Sequence, residues 1–296
     1  MRDEIEIKDL ITGLAKSDER IRAVLLNGSR ANPTVQPDDL SDFDIVFVVS
    51  HLKSFVSDHN WTDVFGEKLI WQLPAEMCFG NEDESIAFSY LMLFKDGNRI
   101  DLTLFPEDHF TTDFKLDSQT IIWLDKDNLF PEVSQASDID YYILEPTQKE
   151  FTDTCNEFWW VSTYVAKGLL RNQVTYAREM LETVVRPMFM KMIEWKIGVE
   201  NNFSVSFGKA GKFMPDYLSK DYYAKVLHTY ADAGIENNWK ALFIMTELFE
   251  MTSNEVSLKL QFQLNKPEQQ NTISYLRGLY NEQKVIPGKD PHSRSL

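Results

Sequence analysis

The chain changes its hydrophobic period near the middle. Up to about residue 105 apolar positions come in short, strand-length runs, and beyond residue 146 they recur every three or four residues, as on helices. Residues 3–16 form one early exception, a helix with Ile5, Leu10, Ile11 and Leu14 at near-helical spacing. Arg20 to Leu26 then reads as a strand, and Asp42 to Val49 as another whose apolar run is nearly continuous, the pattern of a strand covered on both faces. The loop between them holds Pro33 and Pro37 and cannot continue a sheet ladder. Residues 60–80 carry Trp61, Phe65 and a short strand at Leu69 to Leu73. Asp96-Gly97-Asn98 separates two β-rich runs, Ala87 to Lys95 and Arg99 to Phe105, which predicts a hairpin.

Pro146-Thr147-Gln148-Lys149-Glu150 opens the helical half, with Thr147 and Glu150 as a capping box. That helix runs to about Arg171 and carries two stripes. Phe151, Cys155, Phe158, Ser162, Val165 and Leu169 face a core, while Asp153, Glu157, Trp160, Tyr164, Lys167 and Arg171 form a mixed polar and aromatic line. A second helix, Gln173 to Ile197, is expected to kink at Pro187. A polar, glycine-containing linker follows at 200–213, then helices at about 216–232, 236–257 and 267–283. The fold class is α+β: an N-terminal mixed sheet with helices over residues 1–145, a C-terminal α-helical bundle over 146–285, and a flexible tail at 286–296.

Chemistry concentrates between the first two strands, in VLLNGSRANPTVQPDDLSDFDIVFVV. Period-2 alternation puts Asp42 and Asp44 on one face at the start of the second strand, where two like charges call for a cation between them. Hard oxygen ligands facing Gly28 and Ser29, whose backbone N–H groups and hydroxyl suit phosphate oxygens, are what a Mg²⁺-nucleotide requires. Arg30 has two readings, a phosphate contact or a surface salt bridge. Asp101 shares a face with Thr103, opposite Ile100, Leu102 and Leu104, and an acid set in such a strand is costly without a partner. Gly208-Lys209-Ala210-Gly211-Lys212 lacks the spacing and terminal Ser/Thr of a Walker A loop.

Composition narrows the partners. Lys and Arg number 30 against 46 Asp and Glu, a net charge of −16, which disfavours a nucleic-acid partner, since such binders gain affinity by neutralising phosphates. From Asp101 to Glu157 there are fourteen acids and three Lys or Arg, a face suited to an acceptor with guanidinium or ammonium groups. Two cysteines give no disulfide framework or zinc spacing, no apolar run reaches membrane-spanning length, and the acidic N-terminus has no signal-peptide pattern. A cytoplasmic protein without membrane contact is the expectation.

Gly-Ser, twelve intervening residues, then Asp-x-Asp opening a hydrophobic strand resembles the nucleotidyltransferase superfamily, whose fold is polymerase-beta-like. More narrowly, ERIRAVLLNGSRANP, CNEFWWVSTYVAKGLLRN and VVRPMFMKMIEW resemble the aminoglycoside 6-adenylyltransferases, over about Asp18 to Leu258. The resemblance implies transfer of AMP from Mg-ATP to streptomycin's 6-hydroxyl, with release of pyrophosphate. It implies that Asp101 joins Asp42 and Asp44 around one or two Mg²⁺, with Gly28 and Ser29 at the β- and γ-phosphates and Arg30 as a candidate beside them. It also implies that the long helix borders a substrate cleft, assigning Lys167 to the triphosphate and Glu157 with Trp160 to the acceptor. Asp101, Glu84, Glu145 and Glu157 remain alternatives for the proton acceptor. Rival functions are a nucleotidyltransferase acting on another small molecule, RNA or protein, and a non-catalytic nucleotide-binding module.

Overall fold

The structure is a computed structural model that describes residues 1–79, 86–110, 116–130 and 135–285. Glu84 and the tail at 286–296 lie outside the described residues. The chain forms two compact units, residues 1–140 and 141–296.

In the first unit α1 (Glu4–Ser17) precedes β1 (Ile21–Asn27) and β2 (Phe43–Val49). A short α2 (Lys53–Val56), β3 (Lys68–Gln72), β4 (Phe88–Phe94), β5 (Arg99–Pro106), the single turn α3 (Glu107–Phe110) and β6 (Thr120–Asp125) follow. The six strands make one mixed sheet in the order β3-β4-β5-β2-β1-β6. Only β2 and β5 pair in parallel, and the other neighbours are antiparallel. The expected hairpin is β4–β5, with Gly97 at φ +89, a backbone conformation that glycine adopts without a Cβ penalty. Leu69, Ile70 and Trp71 stay exposed because β3 is an edge strand. β6 was not anticipated. Its apolar TIIWLD segment sits within an acid-rich stretch and becomes a strand by pairing with β1.

Alternation divides the sheet into two unlike faces. Ile7, Ile11 and Ala15 of α1 pack with Val24, Leu26, Phe43, Ile45, Phe47, Ile100, Leu102 and Leu104 in one large core. Among the described residues the opposite face carries a small cluster of Leu25, Val46 and Phe105, with Ala87, Ile122 and Phe130 packed against it. Residues on that second face are free for polar work, and Asp42, Asp44 and Asp101 belong to it by the same alternation.

The second unit is helical. α4 (Gln148–Leu170) begins with the capping box that was expected, the Thr147 side chain accepting from Glu150 N and the Glu150 side chain from Thr147 N. All six residues of its apolar stripe are buried, and Phe158 stacks on Phe249 with ring centroids 3.6 Å apart. α5 (Val174–Met180) passes through a wide π turn at Leu181–Val185 into α6 (Arg186–Glu200). Pro187 offers no N–H to a carbonyl one turn back, and the π turn widens the helix just before it, beside the position where the kink was expected. α7 (Met214–Tyr217), α8 (Lys220–Leu227), α9 (Ile235–Leu260) and α10 (Lys266–Val285) complete the unit. Its core gathers Phe151, Trp159, Phe189, Ile193, Trp239, Phe249 and Leu276. No helix among the described residues is long and apolar enough to cross a membrane.

Candidate functional site

The polar face of the first unit is built by register. Asn27 of β1 pairs with Asp44 of β2, and Asp44 with Asp101 of β5. On the other side Asn27 faces Thr120 of β6, whose hydroxyl donates to Asn27 Oδ1 at 2.9 Å. Four polar side chains therefore stand in a row across four strands, and Asp42 lies on the same face, just before β2 begins.

Gly28 opens the turn Gly28–Arg30 directly after β1. Its φ is +73, and a Cβ placed on it would lie 2.3 Å from Asp44 Oδ2. Two independent constraints thus demand glycine here, the backbone conformation and the closeness of a carboxylate. Ser29 is half-buried and its hydroxyl makes no hydrogen bond within the described residues. Beside the turn lies a cavity of 510 Å³ lined by Arg30, Asn32, Pro33, Thr120, Ile122 and Gln135, among others.

Arg30 does not face this opening with free donors. Its Nη2 donates to Ser41 O at 2.8 Å, its Nε to Ser41 O and Asp42 O at 3.2 Å, and its Nη1 meets Glu4 Oε2 at 3.2 Å. The guanidinium also lies 3.9 Å from the Phe43 ring centroid, and the side chain is 9% exposed. Of the two readings open in the sequence, the geometry favours a salt-bridged structural role: Arg30 holds the segment that delivers Asp42.

Arg99 is the cation that stands among the acids, and it was missed in the sequence. Alternation on β5 would have shown it, since residues 99 and 101 share a face. Its Nε and Nη2 donate to Asp101 Oδ1 and Oδ2 at 2.8 and 2.7 Å, a bidentate clamp, and its Nη1 is 3.5 Å from Asp42 Oδ2. Burial pushes the Asp42 carboxyl above its usual range, Arg99 pulls it back, and the like charge of Asp101 pushes it up again. Among the described residues no three His, Cys, Asp and Glu side chains already surround one point as a metal cage. The donors are nonetheless all carboxylate oxygens, the set that hard divalent cations take.

In the second unit the polar stripe of α4 divides. Trp160 lines a cavity of 560 Å³ between α4 and α10, with Asn156, Thr163, Glu268, Asn271 and Tyr275. Glu157 is exposed on α4 and does not line it. The acid that does is Glu268, in the first turn of α10, which no sequence pattern singled out. Lys167 is half-buried, with Nζ 5.7 Å from the Tyr164 ring centroid and 6.0 Å from that of Tyr275. It makes no ion pair among the described residues.

The sequence pattern of the family described as streptomycin adenylyltransferase matches residues 1–279. The chain belongs to that family. It is similar to an aminoglycoside 6-adenylyltransferase of Campylobacter jejuni, 41% identical over 89% of this chain and 91% of that one. A Bacillus subtilis protein of the same name is 39% identical over 95% of this chain and 99% of its own length. One from Staphylococcus aureus is 35% identical over the same shares. A crystal structure of an aminoglycoside 6-adenyltransferase from Bacillus subtilis, 36% identical, covers 95% of this chain and 99% of that one, with a TM-score of 0.46. As a member of the streptomycin adenylyltransferase family the chain is an enzyme, a nucleotidyltransferase.

Proposed function

We propose that this nucleotidyltransferase moves AMP from ATP to a hydroxyl of streptomycin, the 6-hydroxyl by analogy with the relatives' names, and releases pyrophosphate. The observation that carries the reading is the meeting of Gly28 and Asp44, because the phosphate-binding turn and the acid row are one construction. Net charge favours the small cationic acceptor over RNA, and the presence of all three acids favours catalysis over simple nucleotide binding.

In this reading the first unit handles the nucleotide and the second the acceptor. Asp42 and Asp44 would hold Mg²⁺, joined by Asp101 as Arg99 releases it. When bound, the ion supplies charge neutralisation at the triphosphate and lowers the barrier to attack at the α-phosphorus. The backbone of Gly28 and the Ser29 hydroxyl bind the β- and γ-phosphates, a role that suits a hydroxyl without a hydrogen bond among the described residues. Arg30 keeps Asp42 in place, and Lys167 adds positive charge for the triphosphate. Trp160 lies on the acceptor side, with Glu157 exposed on the same helix. The acceptor oxygen forms its bond to the α-phosphorus, the bond to the pyrophosphate oxygen breaks, and the hydroxyl proton passes to a carboxylate. Asp101 is that carboxylate if Asp101→Asn keeps Mn²⁺ binding but removes the acidic limb of the kcat profile; lost Mn²⁺ binding makes it a ligand. The cytoplasm supplies ATP and Mg²⁺ at working levels.

The direct test is Mg²⁺-dependent pyrophosphate release from ATP by the purified protein with streptomycin, other aminoglycosides, or no acceptor. Release stimulated by streptomycin is the expected result. Stimulation by a different aminoglycoside alone would replace the acceptor, and none by any of them would overturn the reading.

A further inference from the structure

The cavity between α4 and α10 contains an acid whose surroundings differ from those of an ordinary surface carboxylate. Asn156 Nδ2 donates to Glu268 Oε1 at 3.0 Å, and Asn265 Nδ2 to Oε2 at 2.9 Å. Each oxygen is oriented by a neutral amide, and among the described residues no Lys or Arg pairs with it. Neutral donors fix the carboxylate and leave its charge uncompensated. The group is half-buried, so solvent screens that charge less than at an open surface.

Trp160 supplies the second half. An indole that is 61% exposed ordinarily samples several rotamers, but its Nε1 donates to Tyr164 Oη at 2.7 Å, which pins the ring in the cavity wall. A tethered aromatic face beside an oriented carboxylate is a receptor for a planar cation, through stacking and charge-assisted hydrogen bonds. Tyr275 on the far wall is already faced by Lys167. Trp159 also lines the cavity but is 2% exposed, so Trp160 is the indole open to a ligand.

We infer that Glu268 and Trp160 form a subsite for a guanidinium or ammonium group of the acceptor, within the cavity between α4 and α10. The inference rests on the reading of a cationic sugar acceptor. A different account of Glu268 is local: Asn265 Oδ1 accepts from Glu268 N, so the pair also caps α10. Affinity and stability must therefore be read separately.

The experiment is calorimetric titration of the full chain with streptomycin and, in a separate arm, with ATP. Wild type, Glu268→Gln, Trp160→Leu and Glu282→Gln are compared, with the melting temperature of each. Glu268→Gln and Trp160→Leu should each weaken streptomycin binding about tenfold or more, with ATP binding retained. Glu282→Gln, at an exposed acid of α10 outside the cavity lining, should change it less than about twofold. Unchanged streptomycin affinity in Glu268→Gln, whatever its melting temperature, overturns the subsite while leaving adenylyl transfer standing. Loss of ATP binding with streptomycin binding kept also overturns it, because the cavity then stacks a nucleotide base. A wild-type protein that neither binds nor modifies any aminoglycoside overturns both.

Discussion

Among the arginines that clamp a carboxylate with both arms, Arg186 and Arg99 have opposite settings. In the second unit Arg186 meets Glu182 through Nε, and through Nη2 at 3.1 Å. Its remaining donors go to Thr229 Oγ1 at 2.9 Å and Thr229 O at 3.0 Å, and it lies 3.7 Å from the Tyr230 ring centroid. The side chain is 8% exposed, and Glu182 also meets Arg178 Nη2 at 3.5 Å, so two arginines answer one carboxylate. In the first unit Arg99 is 43% exposed and answers Asp101 and Asp42 together, with Asp44 alongside in register. The first arrangement is closed and arginine-rich, the second open and acid-rich. A carboxylate already answered twice has nothing left to offer a cation, whereas a surplus of oriented acid leaves room for one.

The largest effect should fall on turnover at the acid row. Asp44→Asn is expected to lower kcat by about a thousandfold or more while circular dichroism and melting stay native. Asp42→Asn should do the same with a melting temperature at or above wild type. The Asp42 carboxyl sits above its usual range in the folded chain, so the folded state binds more protons than the unfolded one just above pH 4. Its contribution to stability is thus greatest at low pH and lost as pH rises through the folded pKa, and the substitution removes that loss. A lower melting temperature at neutral pH would make Asp42 a structural acid like Glu182.

Next comes stability at Arg186. Arg186→Met removes its bonds to Thr229 and leaves Glu182 with Arg178 alone, and should cost about 3 kcal/mol in a urea titration, with kcat per folded molecule unchanged. A cost under about 1 kcal/mol would erase the contrast.

Gly28→Ala is intermediate. Positive φ and the approach of Asp44 should together cost about 1–3 kcal/mol, shared between strain and displacement of the carboxylate. Both stability and kcat should fall.

The smallest effect sharpens the comparison most. Arg99→Met removes the only cation that the described structure shows paired with Asp101, and should tighten nucleotide-free Mn²⁺ binding by about threefold to tenfold. Weaker binding would show that Arg99 orients the acids rather than competing for them.

Much of this organisation was legible in the residues, for identifiable reasons. The hairpin announced itself through Asp96-Gly97-Asn98, and α4 through its capping box, because both signals are local. Alternation alone put Asp42 and Asp44 on one face. What escaped was set by tertiary pairing. β6 needs β1 beside it, and its short apolar segment was hidden among acids. Arg30 has the same sequence neighbourhood in either of its roles, and only the positions of Glu4, Ser41 and Phe43 decide between them. Glu268 looks like any polar residue in the first turn of a helix until Asn156, more than a hundred positions earlier, is found against it.

The parallel ladder between β2 and β5 has a further consequence, for how the gene can vary. Seven consecutive register pairs, from Phe43↔Ile100 to Val49↔Pro106, lock Asp44 to Asp101 without reference to the chain that joins the strands. The surface turns that join β2 to β3 can accordingly gain or lose residues while the carboxylates keep their places. A single-residue insertion inside β5 between Arg99 and Leu102, by contrast, would turn apolar side chains onto the acid face. Lineages should therefore differ in length in the connection and not in the ladder.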